Sequence, residues 1–374
     1  MKIAFDAKRY YHNKTGLGNY SRTLVTDMQR LFPDNDYILY DEPTLTRVLR
    51  LGHKAASNGC QLFHGLSNEL PMDSRRVPAT VVTIHDVAWR TFPAMYHAAD
   101  RLIYDYKYGH SCQRADKVVA ISESTKRDIM RFYNVPEERI EVIYQPVQRY
   151  YYEPMTHSEA QQLIADGCLV TSDCDKHQPS EQPSTTHRPS PITRDFILYV
   201  GSINSRKNLL AAVKALGMLP KENRPLLLVI GDGREYRREV EEYISSHGLA
   251  DDVRIETGIH NNRLLQALYR EARVFLYPSF YEGFGLPVVE AALQQTPVIT
   301  TTVSSLPEAA GPSACLINPH ADDAAEQIAH HIDHLLSDTA YASAMGKTLE
   351  EYARTSFDPD TLTRQMMNLY EKML

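Results

Sequence analysis

Short apolar runs, many of them β-branched, alternate along the first 150 residues with longer stretches in which apolar positions recur every three or four residues. The runs Lys2–Asp6, Tyr37–Tyr40, Gln61–His64, Ala79–Ile84, Lys117–Ile121 and Ile140–Ile143 predict strands. Between the first two, Tyr20, Leu24, Met28 and Leu31 fall on one face of a helix. The alternation resumes with predicted strands at Phe196–Val200, Leu226–Ile230, Val253–Ile255, Arg273–Tyr277 and Pro297–Thr300, each followed by a helical pattern with a polar face. Strands alternating with helices imply parallel sheets covered on both faces. The expected fold class is therefore α/β, with two doubly wound, Rossmann-like domains. A last helix over Asp358–Leu374 aligns Leu362, Met366, Leu369 and Met373 on one side.

A break in the pattern sets the domain limits. Residues 179–191 hold four prolines and five serines or threonines, too little apolar surface to order themselves. The expectation is a first domain over 1–150, a linker over 151–194 with a mobile insertion from about 166, and a second domain over 195–357. Residues 358–374 are expected to return to the first domain. Cys168, Cys174, His177 and His187 lie in the insertion, but their C-x5-C-x2-H-x9-H spacing matches no zinc pattern, so no metal site is expected.

Composition narrows the class. A chain of 374 residues suits two self-supporting domains, and five scattered cysteines make no disulfide framework. The start Met1-Lys2-Ile3-Ala4-Phe5-Asp6 puts an acid in a short apolar run, and no uncharged apolar stretch approaches the ~18 residues of a membrane span. The expectation is a soluble, cytoplasmic protein. A net charge of −7 has the wrong sign for a nucleic-acid binder. Residues 1–150 carry 21 Lys/Arg against 17 Asp/Glu (+4) and the remainder 19 against 30 (−11). The asymmetry points the first half toward something anionic, or is a chance imbalance between two solvated surfaces.

Candidate chemistry concentrates in Tyr277-Pro-Ser-Phe-Tyr-Glu-Gly-Phe-Gly-Leu-Pro-Val-Val-Glu290, a strand end, a glycine loop and a helix start with Pro287 in its first turn. Gly283 and Gly285 let backbone approach a ligand, and Glu282 and Glu290 can face one crevice at the carboxyl ends of the strands. Ionised carboxylates only accept hydrogen bonds, which suits ribose and sugar hydroxyls. A glycine turn with a solvated glutamate is the plainer alternative. Arg206 and Lys207 would open a helix after a strand, as cations for a diphosphate or as ordinary surface residues. Gly16 and Gly18 open a helix after the first strand but lack the third glycine of the dinucleotide fingerprint. His85 ends an apolar strand, Ser122 is a helix cap or a ligand, and His64 reads as structural. Tyr104, Asp105, Tyr106 and Tyr108 lie in a basic helix over about 100–114. That composition suits an acceptor sugar or a lipid-linked glycan at a membrane surface, or a partly buried helix.

The spacing E-G-F-G-L-P-x-x-E resembles the motif of family 4 retaining glycosyltransferases with the GT-B fold. Tyr199-Val-Gly-Ser-Ile-Asn-Ser-Arg-Lys-Asn208, Val229-Ile-Gly-Asp-Gly233 and Leu306-Pro-Glu-Ala-Ala-Gly311 resemble further segments of that family. So do Thr15-Gly-Leu-Gly-Asn-Tyr20, Leu62-Phe-His-Gly65, Thr83-Ile-His-Asp86 and Ala120-Ile-Ser-Glu-Ser-Thr125. Departures are Ser205 in place of proline, Ser202 where many members have arginine, and Gln294-Gln295-Thr296 where members often have a small residue and glycine.

The resemblance implies two lobes facing a central cleft, the C-terminal one for a nucleotide-diphosphate sugar and the N-terminal one for a glycan or lipid-linked acceptor. It implies Glu290 on the ribose, Glu282 and the amides of Gly283, Phe284, Gly285 and Leu286 on the donor sugar, and Arg206 and Lys207 on the diphosphate. His85, Gly16, Gly18, Gly201, Ser202 and Gly231 complete the donor side, with Tyr104 and Ser122 for the acceptor. No cofactor and no metal are implied; Asp173-Cys-Asp175 has D-x-D spacing but lies in the Pro/Ser/Thr-rich segment. The R-K-N variant resembles bacterial mannosyltransferases of polysaccharide assembly, which favours GDP-mannose and transfer with retention. Open alternatives are a non-catalytic sugar-nucleotide-binding subunit, or an epimerase or phosphorylase on the same fold.

Overall fold

The computed structural model describes residues 1–13, 16–166, 192, 194–259 and 261–374. They form two compact units. The first comprises Met1–Arg149, Glu282–Leu286 and Thr355–Leu374, the second Tyr150–Tyr281 and Pro287–Arg354. The insertion with Cys168, Cys174, His177, His187 and the Asp173-Cys-Asp175 triplet lies outside the described residues.

The first unit is built on β1 (Lys2–Asp6), β2 (Asp36–Tyr40), β3 (Leu62–Gly65), β4 (Ala79–Ile84), β5 (Lys117–Ala120) and β6 (Ile140–Val142), in the order β2-β1-β3-β4-β5-β6. Every pairing is parallel. Central β3 and β4 are buried at every position, as a strand covered on both faces must be, whereas edge strand β2 is mostly half-buried.

The second unit carries β7 (Phe196–Val200), β8 (Leu226–Ile230), β9 (Val253–Glu256), β10 (Val274–Leu276), β11 (Val298–Thr301) and β12 (Cys315–Ile317), ordered β12-β11-β10-β7-β8-β9 and again parallel throughout. Three-residue β12 is absent from the sequence reading, whereas three-residue β6 and β10 were legible within the longer runs Ile140–Ile143 and Arg273–Tyr277.

The expected linker differs from what forms. Residues 149–152 make a 3-10 turn and His157–Asp166 an α-helix of the second unit. That helix packs on the helix Asn262–Glu271 through a small core of Met155, Ala160 and Ala267, with His157 Nδ1 2.7 Å from Glu271. The proline-rich composition further on hid a short amphipathic helix just ahead of it.

The C-terminal helix Pro359–Met373 is capped by Asp358, which accepts from the Thr361 amide at 2.8 Å, and it belongs to the first unit. Asp360 in its first turn meets Arg30 and Arg149, and Arg149 also reaches buried Asp27 at 2.6 Å. Deeper in, the Tyr370 hydroxyl bonds His64 Nδ1, His64 Nε2 lies 2.8 Å from Thr83 Oγ1, and the Tyr20 hydroxyl lies 3.0 Å from the same Thr83 oxygen. Burial pushes the His64 pKa down to about 3, so the ring is neutral and structural, tying the last helix to β3 and β4.

Tyr370→Phe strands a buried ring nitrogen and is expected to cost about 1–3 kcal/mol. Trp89, the sole tryptophan, sits in the first unit, so urea unfolding followed by its fluorescence reads that unit. A change below ~0.5 kcal/mol, the size of an ordinary surface substitution, contradicts the assignment.

Candidate active site

In the second unit the strand order reverses direction between β7 and β10, and open α/β sheets bind ligands at the carboxyl ends flanking such a point. Gly201 leaves β7 at φ 156° and donates its amide to Ile230 at 2.9 Å, while Ile203 donates to Asp232 at 2.7 Å. A Cβ on Gly231 would stand 1.9 Å from the Gly201 carbonyl oxygen. Gly231 is therefore required by the touching backbones of two loops, an internal reason rather than the expected approach of a ligand. Exposed Ser202 accepts from Asn204 Nδ2 at 2.9 Å.

Arg206 and Lys207 do not open the helix as expected. They occupy a 3-10 turn, Ser205–Lys207, capped by Asn204, and Asn208 at φ 54° separates it from the helix Leu209–Met218. The two side chains behave differently. Lys207 is buried, with Nζ donating to the Tyr277 hydroxyl and lying 4.7 Å from the centre of that ring. Arg206 donates Nη1 to the Tyr281 carbonyl and accepts from the Phe280 amide at 2.8 Å on its own carbonyl, bracing the loop after β10.

Glu290 lies one turn into the helix Leu286–Leu293 and is partly buried. Tyr269 donates its hydroxyl to Glu290 Oε2 at 2.9 Å. Burial pushes the carboxyl pKa up to about 7, against the opposing hydrogen bonds of Tyr269 and Tyr151.

In the first unit the strand order changes direction between β1 and β3. Gly18 is buried in the helix Gly16–Leu31, where a Cβ would stand 1.8 Å from the Asn13 carbonyl oxygen; Arg22 holds that carbonyl and Tyr10's at 2.8 Å. Gly18 thus serves loop packing, while Gly16 has open space beside it. His85, buried after β4, receives the edge of the Tyr20 ring at 4.7 Å. Its Nε2 donates to the Leu66 carbonyl at 2.9 Å, and its amide donates to Asn68 Oδ1 at 2.7 Å. Burial lowers its pKa, against the Leu66 bond, the Asp86 charge and a bond to Gln145. These internal bonds fix a neutral ring in place.

The segment Glu282–Leu286 groups with this unit. A Cβ on Gly283 would stand 2.0 Å from the His85 carbonyl oxygen, and the Gly283 carbonyl accepts from Ser122 Oγ at 2.7 Å and Thr125 Oγ1 at 3.1 Å. Phe284 is buried in a trio with Tyr144 and Phe357, at centroid distances of 5.5 and 5.1 Å. Gly285 adopts φ 113°, a left-handed value that favours glycine, and Glu282 is buried while Leu286 is partly exposed.

Several expectations change accordingly. Ser122 caps the helix Glu123–Tyr133 by accepting from the Thr125 amide and is fully buried, so it is a cap and loop anchor, not a direct acceptor ligand. Phe284 is a packing residue, and Gly283 is demanded by the His85 carbonyl. Tyr104 packs on Trp89 and Tyr108, while Asp105 accepts from Trp89 Nε1 at 2.8 Å and from Arg90 at 2.6 Å. Tyr106 stays exposed beside Leu102 and Ile103. Glu282 and Glu290 belong to different units. The sequence reading gave no role to Asn68, Thr125, Tyr151, Tyr269 and Gln294, whose partners lie 17 to 158 residues away and leave no local pattern.

Comparison with known proteins follows the same division. Residues 25–149 match the model described as Glycosyltransferase Family 4, and residues 184–354 the model described as Glycosyl transferases group 1. The chain is 26% identical over 410 aligned residues to O-antigen chain mannosyltransferase B of Escherichia coli, covering 99% of this chain and 100% of that one. Among solved structures, sucrose-phosphate synthase from Thermosynechococcus elongatus superposes with a TM-score of 0.77 at 20% identity, covering 100% of this chain and 99% of that one. Anabaena HepE, solved in complex with UDP-glucose, gives 0.74 at 15% identity over 100% of both chains.

Two outcomes are expected. Gly283→Ala forces the 282–286 segment off the His85 carbonyl and lowers the stability of the first unit by about 1–3 kcal/mol, read by Trp89 fluorescence; wild-type stability refutes the contact. Glu290 keeps its proton up to about pH 7 when folded but loses it near 4.5 when unfolded, so rising pH between these values disfavours the folded state. Glu290→Gln should therefore melt higher than wild type at pH 8 and equally at pH 4.5. A pH-independent difference contradicts the raised carboxyl pKa.

Proposed function

The chain belongs to the glycosyltransferases, with a family 4 domain over 25–149 and a group 1 domain over 184–354 on a GT-B fold, and from this premise we propose that it transfers mannose from GDP-mannose to a hydroxyl of a growing cell-surface polysaccharide. The end-to-end similarity to an O-antigen chain mannosyltransferase carries the reading. The loops and helix start around the switch point of the second unit support it, because they carry a buried ammonium and a carboxyl, the kinds of group that a diphosphate and a ribose diol call for.

In this reading Glu290 accepts from the ribose hydroxyls, Lys207 faces the diphosphate with Arg206 holding the loop, and Glu282 with the amides of 283–286 meets the donor sugar. The sugar C1–phosphate bond breaks while the acceptor oxygen attacks C1 from the same face, and the acceptor proton passes to the departing phosphate oxygen. Configuration at C1 is retained. Charge on the leaving diphosphate is met by Lys207, so transfer is expected to survive EDTA. Exposed Leu102, Ile103 and Tyr106, next to Arg101 and Lys107, support an acceptor presented at a membrane surface. Among the described residues no helix is long and apolar enough to cross a membrane.

The test is purified protein with GDP-mannose and a mannose-terminated glycan, the product followed by mass and anomeric NMR. Expected is mannosyl transfer with an α-linked product, and Lys207→Ala lowering kcat by about 10²–10³ with a smaller change in donor affinity, since charge on the leaving group builds in the transition state. Donor binding without turnover supports the non-catalytic alternative, and sugar phosphate released only when phosphate is added supports a phosphorylase. Wild-type kcat in Lys207→Ala removes the leaving-group role.

A further inference from the structure

Glu290 sits in a cradle of phenols. Tyr269, wholly buried on the helix Asn262–Glu271, donates to one carboxylate oxygen at 2.9 Å. Tyr151, 1% exposed, also favours the charged form of the same carboxyl, and its ring centre lies 4.5 Å from that of Tyr150. The Tyr151 and Tyr269 rings meet edge-on at 6.0 Å. Tyr269 and Tyr151 are the titratable groups that act on the Glu290 carboxyl, Glu290 in turn acts on Tyr150, and all three tyrosines belong to the second unit.

The cradle is clamped from behind by the stretch that departs from the family pattern. Buried Gln294 donates Nε2 to the Tyr151 carbonyl at 2.8 Å and accepts from buried Gln266 Nε2 at 3.2 Å, which also reaches the Glu153 carbonyl at 3.1 Å. Arg270 donates to the Gln294 carbonyl at 3.0 Å, and Thr296 Oγ1 donates to the Tyr269 carbonyl at 2.5 Å. Gln295 supplies the left-handed turn at φ 61°, with its amide bonded to Glu350 at 2.6 Å. Two buried glutamine amides cost free energy unless satisfied, and here each is satisfied by holding a tyrosine segment or its neighbour.

We propose that Tyr151 and Tyr269 are positioning residues that hold the Glu290 carboxyl for a ribose diol, with Gln294 as their clamp, and that this enclosure couples nucleoside diphosphate binding to release of a proton from the carboxyl. The proposal rests on the reading that Glu290 meets the ribose. Each phenol can donate one hydrogen bond, and burial keeps both far from ionising, so they orient the carboxyl without competing as bases. A diol donates two hydrogen bonds, which an ionised carboxylate accepts and a protonated carboxyl accepts less well. The proton held by the partly buried acid must then leave to solvent as the diol enters.

The experiment is calorimetric titration of the full chain with GDP and with 2′,3′-dideoxy-GDP between pH 6 and 8.5, repeated with UDP and its dideoxy form. The ratio of the two affinities cancels titration of the phosphates themselves. Expected is a ratio favouring the diol that grows up to about tenfold per pH unit below 7 and levels off above it. Tyr269→Phe and Tyr151→Phe keep the ring and lose a bond that favours the charged carboxylate, so each should move the inflection to higher pH while affinity recovers in alkali. Glu290→Gln should give a small ratio at every pH. Wild-type preference for the diol in Glu290→Gln, or no binding of either nucleotide, overturns the ribose reading itself. A lowered ratio in Glu290→Gln with an unmoved inflection in both phenylalanine variants overturns only the positioning role. A pH-independent ratio in the wild type overturns the proton coupling.

Discussion

Both sheets are parallel throughout, and a parallel sheet has no face to spare for water. Strands β3, β4 and β8 are buried at every position, so a functional side chain on a strand would have to lose its hydration. Helices cover both faces, and chemistry is left to the loops leaving the carboxyl ends. Every residue of the candidate site follows from this. Gly16 and Gly18 come after β1, His85 after β4 and Ser122 after β5. Gly201 to Lys207 come after β7, Gly231 after β8, and Tyr277 to Glu290 after β10, with Glu282–Leu286 of that stretch grouped with the first unit.

Crowding several loops onto one edge brings main chains into contact, and the glycines record where. Gly231 against Gly201, Gly18 against Asn13 and Gly283 against His85 each leave a Cβ at 2.0 Å or less from a carbonyl oxygen. Glycine loops in this chain are therefore joints between loops before they are surfaces for a ligand. The Gly283 joint is the most elaborate, because two hydroxyls from the turn Ser122–Thr125 also grip its carbonyl. A segment pinned in this way presents Glu282 in one orientation, and the conformational entropy of the loop is lost on folding rather than on binding.

Glu290 shows how burial and function pull against each other. Enclosure raises the free energy of its charged form, which the folded protein tolerates by keeping the proton near neutrality. The phenols of Tyr269 and Tyr151 reduce that cost without removing it. Lys207 is the counterpart, an ammonium buried over the Tyr277 ring, where the π-face and hydroxyl replace part of its lost water.

Period and punctuation depend on near neighbours, which is why eleven of the twelve strands among the described residues, the helix Gly16–Leu31 and the C-terminal helix were legible in the sequence. The E-G-F-G-L-P-x-x-E spacing likewise announced Glu282 and Glu290, since both lie within one loop and one helical turn. The reading missed β12, and proline-rich composition downstream masked the helix His157–Asp166. Only the tertiary structure decided which glycines serve packing, that Ser122 is an anchor, that Arg206 braces a loop while Lys207 lies buried on Tyr277, and that Tyr269 and Tyr151 hold Glu290. Gln294 meets Tyr151 across 143 residues of chain. A hydrogen bond needs about 3 Å in space and is indifferent to distance along the chain, so its partners are set by the path of the fold and not by any pattern a sequence window can contain.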